Sequence, residues 1–386
     1  MKTTAFCRLG LLLIFGTMLA AQTPGPTPGP CLGFSKTAYV NWPQFHSDIC
    51  HTGYNASEFI LSPGNVGNLV LDWKYKTGIE VDLSSPTVAN GVVYIADEVS
   101  GVSAVNAATG AKLWSVPATG DEESAPAVAN GLVYFGDGTI FSGFVHALNA
   151  TTGAPVWVAG AGSYVECPTV SNGVVYAGSA DHNLYALNAA TGAELWRYTT
   201  GNLVLSSPAV ASGVVYFGSY DHNVYALDAM TGAKLWSFTA GDVVSASAAV
   251  ANGVVYIGSW DHNLYALNAA TGAKLWSFDT GGQIEFSPAV ANGVVYTGGT
   301  TYALDAATGA ELWRSNVGGG DSSPAVANGV VYTGGDKVYA LDAASGAELW
   351  SYTTGDNDVR SSPAVASGML YVGSGGGYLY AFHLPD

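Results

Sequence analysis

From residue 69 onward short apolar runs alternate with turn-forming residues, and the alternation returns at a nearly fixed interval. Residues 247–281 show one period: the runs 248–251, 254–258, 264–267 and 274–278 are separated by Asn252-Gly253, Asp261-His262-Asn263 and Thr271-Gly272. Runs this short, rich in Val, Tyr and Leu and bounded by such turns, predict four β-strands. Asn-Gly between Val-rich runs predicts a tight hairpin, because both residues tolerate the positive φ of a type I′ turn. The pair recurs at Asn90-Gly91, Asn130-Gly131, Asn172-Gly173, Asn292-Gly293 and Asn328-Gly329. One tryptophan marks each unit: Trp73, Trp114, Trp157, Trp196, Trp236, Trp276, Trp313 and Trp350, spaced 41, 43, 39, 40, 40, 37 and 37 apart. A period near 40 with four strands per unit predicts propeller blades, and no 3.6-residue apolar period supports a helical repeat.

The chain ends complement one another. The last unit, 361–382, stops after three strands and lacks its tryptophan strand, whereas residues 68–78 form a lone tryptophan strand before the first full unit. Seven complete blades and one assembled from both ends predict an all-β, eight-bladed propeller with four-stranded blades. The N-terminal strand completes the C-terminal blade and leaves no open sheet edge in the ring.

The first 67 residues do not follow the repeat. Residues 1–21 carry Lys2 and Arg8, an apolar run at 9–15 and small residues at 20–21, the pattern of a cleavable secretory signal. That run is too short to span a bilayer. Residues 22–41 begin with a Pro/Gly-rich spacer, 42–67 form a lead-in segment expected to cap the domain, and 68–386 form the propeller. The reading is an exported protein, periplasmic or extracellular, without a transmembrane span and monomeric. Cys31 and Cys50 flank one compact segment and are candidates for a disulfide in an oxidising compartment. Cys167 replaces a serine of most other repeats and reads as a small buried residue. The net charge of −17 argues against nucleic acid as a partner.

Strand order sends the loops entering the innermost strands and the second-to-third strand turns to one face, and the Asn-Gly and Thr-Gly turns to the other. The Asn-Gly face is nearly uniform and expected to be inert; the opposite face varies between blades, as expected where function sits on a rigid scaffold. Aligning the incoming loops predicts a ring at the channel mouth: Leu83, Glu123, Val165, Leu205, Ser245, Glu285, Asp321 and Arg360. It holds three acids and one base. The turns 181–183, 221–223 and 261–263 each read Asp-His-Asn, placing His182, His222 and His262 at equivalent positions. Those residue types suit tight turns, and points on neighbouring outer hairpins lie too far apart to share a metal. Ala180, Tyr220 and Trp260 precede these turns, so an aromatic pair on adjacent blades is a candidate anchor for a peptide or glycan. The candidate binding residues are Glu123, Glu285, Asp321, Arg360, Tyr220 and Trp260. No phosphate loop, His-Glu-x-x-His motif, Gly-x-Ser-x-Gly motif or evident nucleophile and base pair occurs.

The run Ala-Leu-Asn-Ala-Ala-Thr-Gly-Ala-Glu-Leu-Trp at 186–196, with variants at 226–236, 266–276, 303–313 and 340–350, resembles the tryptophan-docking repeat of PQQ-like propellers. The resemblance covers roughly residues 69–386, and the lead-in at 42–55 is similar to the segment preceding the propeller in exported members. It implies that the eight tryptophans lock adjacent blades together. Members divide into quinoprotein dehydrogenases, which bind pyrroloquinoline quinone and calcium at the channel mouth, and non-enzymatic proteins such as the propeller subunit of the outer-membrane β-barrel assembly machinery. The blades here are minimal and no two cysteines adjoin, so the chain resembles the second group more. The expectation is a non-catalytic binding or scaffold protein with a protein or glycan partner and no cofactor. A quinone-dependent oxidoreductase is the alternative.

Overall fold

The computed structural model describes residues 41–78, 84–97, 101–117, 124–317, 322–355 and 358–385. The signal, most of the spacer, Cys31, Leu83, Glu123 and Asp321 lie outside them. Eight sheets are arranged as blades 1 to 8, with their strands within residues 87–116, 127–161, 169–199, 209–239, 249–279, 289–315, 325–352 and 364–383. In blade 5 the strands are Ala249–Ala251, Val254–Gly258, Asn263–Asn268 and Lys274–Asp279, each antiparallel to the next. Blade 8 holds three strands of its own and takes Val70–Lys76 as its outermost, with Trp73 opposite Ala381 and Tyr75 opposite Leu379. The closure read from the chain ends is therefore present.

The turn chemistry explains the hairpins. Asn252 and Gly253 take φ of 51° and 76°, the pairing that a type I′ turn demands. Blades 4 and 8 reach the same geometry with serine, at Ser212-Gly213 and Ser367-Gly368. In blade 5 the outermost strand bulges, pairing Trp276 with Ala266 but Lys274 with Leu267, so Leu275 is the extra residue and is left about half exposed. Such a bulge re-aims the side chain beside it. The re-aimed group is the tryptophan.

All eight ruler tryptophans dock on the following blade. Trp236 Nε1 donates to the Ala269 carbonyl at 2.9 Å, and Trp350 closes the ring by donating to Leu69 at 3.0 Å. The equivalent acceptors are Ala107 for Trp73, Ala150 for Trp114, Ala189 for Trp157, Ala229 for Trp196, Ala306 for Trp276 and Ala343 for Trp313. The Trp236 ring lies over the Thr-Gly turn of blade 5 so closely that a Cβ on Gly272 would sit 2.7 Å from it. Glycine is required there twice over, since its φ is 70°.

The Ser-Pro positions form a belt around the channel. The backbone N–H groups of Ser207, Ser247, Ser287, Ser323 and Ser362 donate to the hydroxyls of Ser247, Ser287, Ser323, Ser362 and Ser85 on the following blades. Cys167 takes a place in this belt, accepting from Ala125 N at 3.0 Å.

The lead-in runs around the channel, touching the innermost strand of each blade in order. Val88, Val128, Val210, Val250, Val290 and Val326 donate their N–H groups to the carbonyls of Trp42, Pro43, Ile49, Cys50, Thr52 and Gly53. Val170 N donates to Gln44 Oε1, and Asn55 Nδ2 donates to the Val365 carbonyl. An innermost strand has one unpaired edge facing the channel, and the lead-in supplies the partners those edges lack. The segment then leaves over the Asn-Gly face, where Asn328 Nδ2 donates to the carbonyls of Phe59 and Leu61 and Glu58 Oε2 accepts from Gly368 N. That face is less plain than expected, because Phe59 and Ile60 are exposed on it. Cys50 is disulfide-bonded; Cys31, the partner expected for it, lies outside the described residues.

Candidate functional site

On the face opposite the Asn-Gly turns, the Asp-His-Asn turns are held by their own side chains. Asp221 Oδ1 accepts from Asn223 N at 3.1 Å, while Oδ2 accepts from Tyr225 Oη at 2.7 Å and from Gly201 N at 2.7 Å in the loop that follows the blade 3 outer strand. Asp181 and Asp261 repeat the pattern with Gly162 and Gly241. Burial works to raise these carboxyl pKa values, but the hydrogen bonds from tyrosine, glycine and asparagine outweigh it and hold them below the usual range. The histidines occupy the left-handed corner, with φ of 74°, 72° and 74° at His182, His222 and His262. This is the turn role read from sequence. Among the described residues no group of three or more His, Cys, Asp or Glu is placed to hold a metal ion.

Each aspartate thereby fixes the residue before it. Tyr220 N donates to Leu203 O and Trp260 N to Val243 O, both at 2.9 Å, so blades 4 and 5 present their aromatics in the same way. The rings meet edge to face, with centroids 5.5 Å apart and planes inclined by 66°. Trp260 Nε1 donates to Ser245 Oγ at 2.9 Å, which anchors the indole to the loop entering blade 5. The same loop carries Asp242, whose Oδ1 lies 3.8 Å from His222 Nε2, with both side chains about half exposed. Blade 3 has Ala180 at the aromatic position, so the pair is confined to the seam between blades 4 and 5. The result is a partly exposed aromatic pair with a half-exposed carboxylate and imidazole beside it. It can hold the face of an apolar, sugar or cationic group while Asp242 accepts hydrogen bonds from it.

Of the other expected site residues, Glu285 follows Ile284, whose N–H donates to the carbonyl of Ser259 beside Trp260. Glu285 is exposed in the loop between blades 5 and 6, and Arg360 is partly covered in the loop entering blade 8. Glu123 and Asp321 lie outside the described residues. Val165 corrects the predicted ring. It is buried against Gly136, the place that Val204 and Val244 hold against Gly178 and Gly218, while Cys167 keeps the belt position of Ser207 and Ser247, so one residue fewer separates the two and Val165 does not match Leu205 and Ser245. The loop entering blade 3 is offset by one residue, which an alignment anchored on Ser-Pro does not register. Cys167 is buried, and burial, followed by the charge of Glu166, pushes its thiol up to about 12. It is no nucleophile at neutral pH.

Comparisons with known proteins fit this geometry. The family model described as outer membrane protein assembly factor BamB matches residues 141–243, 220–300 and 297–384. A second model, described as the β-propeller domain of glucose/ethanol/alcohol dehydrogenase, matches residues 42–156. Among solved structures, BamB from Moraxella catarrhalis is 20% identical over 82% of this chain and 97% of its own, with a TM-score of 0.68. Quinohemoprotein alcohol dehydrogenase ADHIIG from Pseudomonas putida HK5 is 17% identical over 89% and 80%, with a TM-score of 0.77. A europium-containing methanol dehydrogenase is 14% identical over 89% and 98%, with a TM-score of 0.75. At these identities the likeness is one of fold. No curated protein matches the chain.

Proposed function

Because this chain belongs to the PQQ-like propeller family, whose matching model is described as outer membrane protein assembly factor BamB, and propellers of this fold include dehydrogenases, we propose that it is an exported, non-catalytic binding module. It engages a protein partner through the face bearing the aromatic pair of blades 4 and 5. One observation carries the reading: Tyr220 and Trp260, contributed by different blades, meet at 5.5 Å with Asp242 and His222 beside them. The pair, its indole fixed by Ser245, offers an aromatic anchor of the kind that supplies most of the holding energy at an interface.

The chemistry of the mouth argues in the same direction. A tricarboxylate quinone requires several cations or a metal to offset its charge. Of the described residues expected at the mouth only Arg360 is cationic, and among the described residues no group of three or more His, Cys, Asp or Glu is placed to hold a metal, which supports the binding reading.

Two measurements test the proposal. The exported fraction of the native cell is passed over immobilised protein, over the Tyr220→Ala/Trp260→Ala variant and over a control altered at Asn252 and Asn292. A partner held by the intact protein and the control, but lost by the aromatic variant, is expected; loss by the control alone would reverse the assignment of faces. Separately, the protein is incubated with pyrroloquinoline quinone and calcium and then gel-filtered. Quinone absorbance co-eluting at one equivalent per chain would replace the binding reading with the dehydrogenase one.

A further inference from the structure

The loop entering blade 5 is bonded to both of the turns that carry the aromatic pair. Val244 N donates at 3.2 Å to the carbonyl of Ser219, the residue before Tyr220. Ser259, the residue before Trp260, donates its hydroxyl to the carbonyls of Asp242 at 3.2 Å and Val243 at 3.0 Å. Asp242 is thereby fixed beside the two rings, with its side chain 48% exposed. Its place is taken by Asn202 in the loop entering blade 4 and by Gly282 in the loop entering blade 6. The carboxylate therefore stands at the seam where the two aromatics meet.

Charge narrows what this seam can take. Every residue from Arg197 to Arg314 is described, and between those two the only Lys or Arg residues are Lys234 and Lys274. Each opens an outer strand, Lys234–Thr239 or Lys274–Asp279, just after a Thr-Gly turn, so both stand toward the opposite face. Asp221 and Asp261 are engaged by their own turns. That leaves the half-exposed Asp242 and, in the next loop, the exposed Glu285, with no Lys or Arg of blades 4 and 5 turned toward them.

A sugar or an aliphatic side chain would use the rings and leave the acids without a countercharge, and an anionic group would be repelled. A guanidinium uses both, because its plane stacks on an aromatic face while its edge donates to a carboxylate. A lysine ammonium offers a point charge without the plane. The indole is already held by Ser245, so covering it costs little conformational freedom. Resting on the reading above, in which this pair anchors a protein partner, we propose that the residue it receives is an arginine of that partner. The guanidinium lies over Trp260 and donates to Asp242.

The probe is Nα-acetyl-arginine methylamide, titrated at constant ionic strength against the full chain carrying isotope-labelled tryptophan. The readout is the Trp260 indole N–H signal in the nuclear magnetic resonance spectrum, identified by its loss in Trp260→Phe. A saturable shift is expected with the arginine compound and none with its neutral isostere, the citrulline analogue, at the same concentrations. Asp242→Asn should weaken binding about threefold, the scale of an exposed charge pair. That substitution preserves the loop, since Asn202 Oδ1 accepts from Leu203 N at 2.9 Å just as Asp242 Oδ1 accepts from Val243 N at 2.8 Å. An unmoved Trp236 indole signal, which reports blade docking, separates lost charge from lost folding. No saturable shift, an equal shift with the citrulline analogue, or equal binding by Asp242→Asn would overturn the proposal. In the pull-down, a partner lost by Tyr220→Ala/Trp260→Ala but held undiminished by Asp242→Asn would overturn the arginine and leave the binding reading standing. A partner that the aromatic variant keeps would remove both.

Discussion

Acidification should weaken the protein through the segment that fills its channel. His46 and His51 are buried there, and burial lowers their pKa values from 6.5 to about 4 and about 3, in His51 with help from the neighbouring His46. His51 Nε2 lies 2.8 Å from Thr169 Oγ1, and its Nδ1 has no hydrogen-bond partner among the described residues. Protonating either ring in place would bury a charge. A depressed folded pKa contributes stability that is present above 6.5 and lost as the pH falls toward the folded value. Asp48 acts in the opposite sense: burial raises its pKa from 3.8 to about 6, against the hydrogen bonds from Thr52 and Cys50, so its contribution favours the fold in acid and fades as the pH rises through 6. At pH 5 the unfolded chain holds a proton on each imidazole, while the folded chain holds close to one on Asp48 and almost none on the rings. The difference of about one proton corresponds to about 1.4 kcal/mol per pH unit, or roughly 3 kcal/mol between pH 6 and pH 4. Asp48 keeps part of its surface uncovered, so its opposition is at most this large. Urea titrations across the interval measure the slope directly. In a His46→Gln/His51→Gln variant the imidazole contribution is gone, Asp48 still opposes, and the depressed Asp181, Asp221 and Asp261 carboxyls begin to lose theirs only near pH 4, so the loss of stability on acidification should be much smaller than the parent's. A parent stability that is flat from pH 6 to 4, or a variant slope equal to the parent's, would refute the reasoning.

Trp236→Ala should cost about 3–5 kcal/mol in denaturant titration, since the ring is 9% exposed and packed on the next blade; Trp236→Phe should cost less, because Tyr216 Oη still donates to Ala269 O at 3.1 Å. Deleting residues 68–78 removes the outer strand of blade 8, and loss of cooperative melting is expected. The Cys167 thiol, pushed up to about 12, should resist iodoacetamide at pH 8 in the native protein and react once the chain is unfolded in urea, as read by mass spectrometry. Gly143→Ala should lower the melting temperature measurably, because the new Cβ meets Ser163 O and the hairpin must shift.

The strands, turns, blade count and ring closure were legible along the chain because each rests on local chemistry repeated many times. Asn252-Gly253 specifies its hairpin by the φ values the two residues tolerate, and Trp236 marks its strand by recurring at a fixed interval. The aromatic pair was visible as two residues on adjacent blades. That they touch, and that Ser245 and Asp242 join them, depends on how one blade sets beside the next. Val165 was misplaced in the predicted ring because a loop shorter by one residue leaves no periodic mark. The course of residues 42–55 was hidden most completely. Its hydrogen bonds go largely to backbone N–H groups of Ala-Val-Ala strands that read alike in most blades. Side-chain patterning therefore determined which segments became strands and how many blades close the ring. Only the assembled ring decided where the non-repeating segment goes, because the unpaired strand edges that draw it in converge on one channel only after closure.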